Sequence, residues 1–130
     1  MLILHALPGD LMSHEMTTHD MQQCIQNCRD CQRICTLTIT HCFAQGGEMC
    51  EAAHIRLLLD CAEMCQTSAN FMLRASDLHP YTCAVCAQVC EQCRLACERH
   101  PDNEQMRLCA DACKRCADSC HYMAETAMAA

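Results

Sequence analysis

The sequence predicts an all-α protein: an antiparallel four-helix bundle with a cysteine-lined core and a short N-terminal segment. Three observations carry this. Breaks are few, since the 130 residues include only three Gly and three Pro. The segments between the breaks are rich in Ala, Leu, Met, Gln, Glu and Arg, the better helix formers. And 17 residues are cysteine, mostly at steps of three and four, the mark of one helical face. Strand signals are missing, with little period-2 alternation and few Val or Ile.

Residues 1–16 form a separate segment, in which Leu2, Ile3, Leu4, Leu7 and Leu11 suit a short helix docked on the bundle or on a neighbouring subunit. The bundle is expected over 17–127. Its first helix runs near 17–45, with Thr17 or Thr18 as cap, and Gly46-Gly47 ends it. The second runs near 48–77 and stops before His79-Pro80, because the residue before proline avoids the helical region. The third runs near 81–100. His100-Pro101-Asp102-Asn103 then turns the chain into a fourth helix near 102–127, where Asp102 and Gln105 resemble a capping box. Short loops between four such helices make neighbours antiparallel.

Charge and composition narrow the function. Nine Lys and Arg stand against sixteen Asp and Glu, a net charge of −7, with Lys114 the one lysine. Phosphate contacts need clustered basic residues, so no nucleic-acid partner is expected. No apolar run approaches the 18 residues of a membrane span, so none is expected there either. The N-terminus has no basic start, and His5 and Pro8 interrupt its apolar run, which is unlike an export signal. The expected setting is the cytoplasm, where thiols stay reduced. An odd cysteine count also fits a disulfide scaffold poorly. No Ser-His-Asp, Walker or dinucleotide motif is present, and no enzymatic activity is expected.

The pattern Cys-x3-Cys-x2-Cys-x3-Cys occurs three times: Cys24, Cys28, Cys31, Cys35; Cys86, Cys90, Cys93, Cys97; and Cys109, Cys113, Cys116, Cys120. Cys42 follows the first copy in step, and Cys83 precedes the second. On the second helix Cys50, His54, Leu57 and Cys61 keep the spacing, and Cys65 follows. At about 100° per residue each set falls in an arc of about 60–80°, the side that an amphipathic helix buries. Four stripes facing one another would line the bundle axis. Plain packing does not account for this, because a thiol buries little area compared with Leu. Disulfides within a helix do not either. Side chains four apart lie about 5–6 Å from each other at Cβ, whereas a disulfide wants about 3.8 Å.

Thiolates along rigid helices suit a soft metal. Zinc prefers a closed tetrahedron on knuckle loops, and iron–sulfur runs sit on loops or end in Cys-Pro. Cu(I) accepts two or three shared thiolates, so multiple Cu(I) ions per chain are the expected cargo. Zinc or mixed-metal, metallothionein-like sequestration is the alternative. A thiol redox protein is the third reading, with Cys83 and Cys86 at a helix start as its one local candidate.

These motifs, as in Cys24-Ile-Gln-Asn-Cys28, Cys61-Ala-Glu-Met-Cys65 and Cys113-Lys-Arg-Cys116-Ala-Asp-Ser-Cys120, resemble the bacterial copper storage proteins (Csp family) over roughly 17–127. The resemblance implies a four-helix bundle holding many Cu(I) ions for storage and copper homeostasis, and a homotetramer of such bundles. Some members carry a twin-arginine export signal. This chain shows none and looks like the cytosolic branch. A copper chaperone or a small thiol would deliver the metal. Family members also use a few His, Met or acidic groups at the open bundle end.

In an up-down-up-down bundle, Cys42, Cys50, Cys97 and Cys109 gather at one end. His54 and His100 lie near them and are the expected additional metal ligands, with Met106 close by. The other end gathers Cys24, Met72, Cys83, Cys120 and Met123, where the methionines read as core fillers. His41 and His121 fall about 100° or more off their stripes and are expected on the outer face.

Overall fold

The computed structural model describes the backbone of residues 8–129 and the side chains of residues 19–127. Four α-helices make up nearly all of it: α1 (Pro8–Gln45), α2 (Ala52–Leu73), α3 (His79–Cys97) and α4 (Glu104–Ala129). Residues 1–7 of the expected N-terminal segment lie outside the described residues. From Pro8 the chain is already in α1, so the first helix starts earlier than residue 17, and Thr17 and Thr18 lie inside it rather than capping it.

The other boundaries shift for local reasons. Gly46 and Gly47 both adopt left-handed φ (71° and 62°), which a side chain would resist. The Gly46 N–H closes α1 on the Cys42 carbonyl at 2.9 Å. A short 3-10 turn, Gly47–Cys50, follows, and Glu51 in an extended conformation starts α2 at Ala52. Cys50 therefore sits on this turn and not on the second helix. Pro80 falls in the first turn of α3, where its missing N–H costs nothing. At α4 the cap is Asn103, whose Oδ1 accepts the Met106 N–H at 3.0 Å. Gln105 does not close a box with Asp102; it donates to Thr38 Oγ1 on α1 at 3.0 Å instead.

The helices form a closed up-down-up-down ring. The backbones of α1 and α3 each pack on α2 and α4, while α2 and α4 meet across the diagonal only through cysteine side chains. The axis is filled by cysteine. Most of the buried positions flanking the stripe are alanine: Ala62, Ala69, Ala87, Ala96, Ala110, Ala112, Ala117 and Ala124. Leu58 is the one leucine fully inside among the described residues. Larger apolar groups such as Leu37, Phe43, Leu95, Leu108 and Tyr122 point outward and stay about half exposed. No helix among the described residues is long and apolar enough to cross a membrane.

With so little bulk in the core, Leu58 carries an unusual share of its packing. Leu58→Ala is expected to destabilise the metal-free bundle by about 2–5 kcal/mol, the range for a buried leucine that leaves a cavity. Urea unfolding of the reduced protein followed by circular dichroism measures this.

Candidate metal centre

The cysteines of the stripe follow a seven-residue register, so facing helices contribute side chains in layers. All 17 cysteines are free thiols, and all but Cys50 are buried. Sulfurs from different helices approach as closely as those within one. Cys28 and Cys120 are 3.5 Å apart, Cys61 and Cys90 3.6 Å, and Cys65 and Cys116 3.7 Å. Within a helix, Cys31 and Cys35, Cys86 and Cys90, and Cys116 and Cys120 are each separated by 3.9 Å. The Cys-x3-Cys pairs are therefore not isolated units but rungs of one continuous column.

At least five sets of four thiols have their sulfurs within 4.8 Å of one another, among them Cys28, Cys86, Cys116, Cys120 and Cys35, Cys93, Cys109, Cys113. Cys31, Cys35, Cys61, Cys65, Cys86, Cys90, Cys113 and Cys116 each belong to two of these sets. Two metal–sulfur bonds of about 2.3 Å span up to about 4.6 Å, so one ion can join neighbouring sulfurs without moving the helices.

The column is not purely thiol. Thr38, Leu58 and Ser68 occupy stripe positions and are fully buried. Thr38 satisfies its hydroxyl by donating to the Ile34 carbonyl at 2.7 Å and accepting from Gln105. Ser68 Oγ lies 3.4 Å from Cys83 Sγ. Thr38 and Leu58 share a layer with Cys93 and Cys109 in this register. Reading by cysteine alone passed over these three residues; extending the same step through the gaps finds them.

The end that was expected to gather Cys42, Cys50, Cys97 and Cys109 does so. Cys42 lies within electrostatic range of Cys109 and Cys50, and Cys97 within that of Cys93 and Cys109. His54 is buried and its Nε2 has no hydrogen-bond partner. The His100 ring meets it edge-on, with centroids 5.9 Å apart. Burial, reinforced by His100, holds His54 below its ordinary pKa, so it is a neutral imidazole at pH 7. His100 itself lies in the turn after α3, half-buried. Met49, which sequence reasoning passed over, accepts from the Asn103 amide at 3.8 Å. A cleft of about 370 Å³ lined by Met49, His100 and Asn103 opens here to solvent.

At the other end Cys24 touches Cys120 at 3.6 Å. Met72 and Met123 are buried here, and Met106 is buried at the His54 end. His121 is outward, 3.4 Å from Glu125. His41 departs from its expected outer-face position: it is half-buried, with Nε2 buried and unpartnered.

Several of the thiols resist ionising on their own. Burial pushes Cys42 up to about 11. At Cys83 the bond from Cys120 favours the thiolate, but the bond with Cys24 and burial outweigh it and push the group up to about 12. Cys113 and Cys116 are pushed up by their bonds to Cys109 and Cys120 respectively, and by burial. A metal cation supplies the charge that makes the thiolates stable.

A four-helix bundle with a buried, continuous thiolate column is a multi-ion soft-metal binder. Comparison with known proteins names the family: the copper storage protein model (Csp) matches residues 17–125, and the chain belongs to that family. A solved Nitrosospira multiformis protein is 41% identical, covering 83% of this chain and 97% of its own, at a TM-score of 0.78. Cu(I)-bound BsCsp3 of Bacillus subtilis is 33% identical over 81% of this chain and 98% of its own, at 0.76. A cytosolic copper storage protein of Streptomyces lividans, loaded with five coppers, is 28% identical over 85% and 97%, at 0.80.

Two outcomes follow for the metal-free protein. Cys50, partly exposed on its turn, should be alkylated first by iodoacetamide, with the sixteen buried thiols far slower. Mass spectrometry of timed samples checks the order. Cys42 and Cys83 are also held above the ordinary thiol value of 9.0. The unfolded chain therefore loses protons before the folded one. Their contribution to stability is full below about pH 9 and is lost as pH rises toward 11–12. Urea midpoints should fall steadily across that window.

Proposed function

We propose that this chain stores and sequesters many Cu(I) ions in the cytosol, by thiolate binding rather than catalysis. The observation that carries this is the chain of sulfurs 3.5–4.0 Å apart that runs along the bundle axis from Cys24 to Cys109. A structural zinc site needs four ligands and then closes; here most sets share members with the next. Copper arriving on a chaperone or a small thiol would exchange ligands at the end with Cys42, Cys50, His54 and His100, and pass inward. His54 and His100 act there as imidazole ligands. The unpartnered Nε2 of His54 supports this role. The homotetramer implied by family resemblance is supported by the half-exposed apolar residues on the outer helix faces.

Two thiolates on one Cu(I) leave a net charge of −1, which is costly to bury. Sharing each sulfur between two ions brings the count toward neutrality. Loading should therefore approach about one copper per cysteine, with roughly one proton released per thiol. Anaerobic titration with Cu(I) against a chromophoric chelator measures the stoichiometry, and unbuffered titration the protons. Saturation at only about one or two tightly held ions would sink the storage reading. Metal analysis after competition between Zn(II) and Cu(I) separates it from a zinc reservoir, and light scattering after gel filtration reads the assembly.

A further inference from the structure

We propose that the bundle end opposite His54 carries its own mixed-donor Cu(I) site, built by His79 with Cys24, Met72 and Met123. The proposal rests on the copper reading above. It starts from a layer that the cysteine pattern does not reveal. The register that stacks Cys28, Ser68, Cys83 and Cys120 runs one layer further. There it places Cys24 on α1, Met72 on α2, His79 on α3 and Met123 on α4. Cys24, Met72 and Met123 are buried, at 0%, 2% and 4% exposure. His79 precedes Cys83 by four residues, so the two share a face. At about 100° per residue it falls within about 40° of all five cysteines of α3.

The ring of His79 is set for a metal. Its Nδ1 lies 2.9 Å from the Ser76 carbonyl oxygen. A carbonyl only accepts, so Nδ1 carries the hydrogen, and the neutral ring presents its lone pair at Nε2. That Nε2 is buried and has no hydrogen-bond partner. A backbone carbonyl that fixes the tautomer while the other nitrogen stays free is the support typical of metal-bound histidine.

The α2–α3 loop is built to hold that carbonyl. The Ser76 N–H bonds to the Phe71 carbonyl and the Ala75 N–H to that of Met72, both at 3.0 Å. This closure forces Ala75 to φ 54°, a conformation glycine would adopt more easily. A strained residue kept in place next to an unsatisfied imidazole is the kind of cost that persists at functional sites.

The donors define the ligand class. One thiolate, one imidazole and thioethers form a soft set suited to Cu(I). With Cys24 as the sole anion the Cu(I) complex is neutral, so the column can end in buried surroundings without leaving a net charge. A divalent ion would leave a positive charge there.

The test uses the full chain with 15N-labelled histidine, loaded anaerobically with Cu(I). His79 Nε2 should shift upfield from its unprotonated position on loading. His79→Gln keeps an N–H for Ser76 and should hold about one copper fewer per chain, with the remainder unchanged. Met72→Leu with Met123→Leu preserves core volume, and should weaken the copper lost in His79→Gln by about tenfold or more. An unshifted His79 Nε2 at full loading overturns the site, as does a folded His79→Gln chain that saturates like wild type. If the wild-type chain itself binds only about one or two ions, the storage reading fails instead; His79 among their ligands would still support the site.

Discussion

A thiol is a short side chain, and its reach decides how closely the four helices must run. Sulfurs on facing helices meet at 3.5–3.8 Å only if the backbones approach closely. The alanines beside the stripe allow this. Ala87 and Ala96 on α3, and Ala110 and Ala117 on α4, are buried where a leucine would hold the helices apart. Other unusual features follow. Aromatic residues are scarce because no room is left for them, and bulky apolar residues are displaced to the outside.

The same closeness shapes the electrostatics. Thiols packed against thiols in a dry core are better neutral than charged, so the metal-free column is a set of weak hydrogen bonds between sulfurs. Mixed donors appear where the column meets solvent. At one end stand His54, His100 and Met106 with Cys42 and Cys97. His54 and His79 leave Nε2 buried and unpartnered, as His41 does, and these two alone also lie on the inner stripes.

Much of this was legible in the sequence because cysteine is both the ligand and the core residue. Steps of three and four at Cys24–Cys42 and Cys109–Cys120 fix helix, inner face and chemistry together. Boundaries were less legible. Cys50 matches the stripe spacing, yet two left-handed glycines and the extended Glu51 place it on a 3-10 turn. Asp102 looked like the cap of α4, but Asn103 has the geometry, and Gln105 was drawn to Thr38 across the bundle. His79 was hidden because the search followed cysteine, and its proline neighbour marked it as a break. Proline at the first turn of a helix is equally a beginning.

Thr38 and Leu58 give the column a neck. In their layer two of the four inward positions carry no sulfur, and both residues are fully buried. Only Cys93 and Cys109 continue the thiolate path between the His54 end and the broad four-thiol layers beyond. Traffic through that end must pass in single file along α3 and α4. A vessel with a wide body and a narrow throat has its filling and emptying times set by the throat, however tightly the body holds its contents. On the proposed function, retention of the ions would be a matter of rate as well as affinity, set by these two non-thiol residues as well as by the thiols.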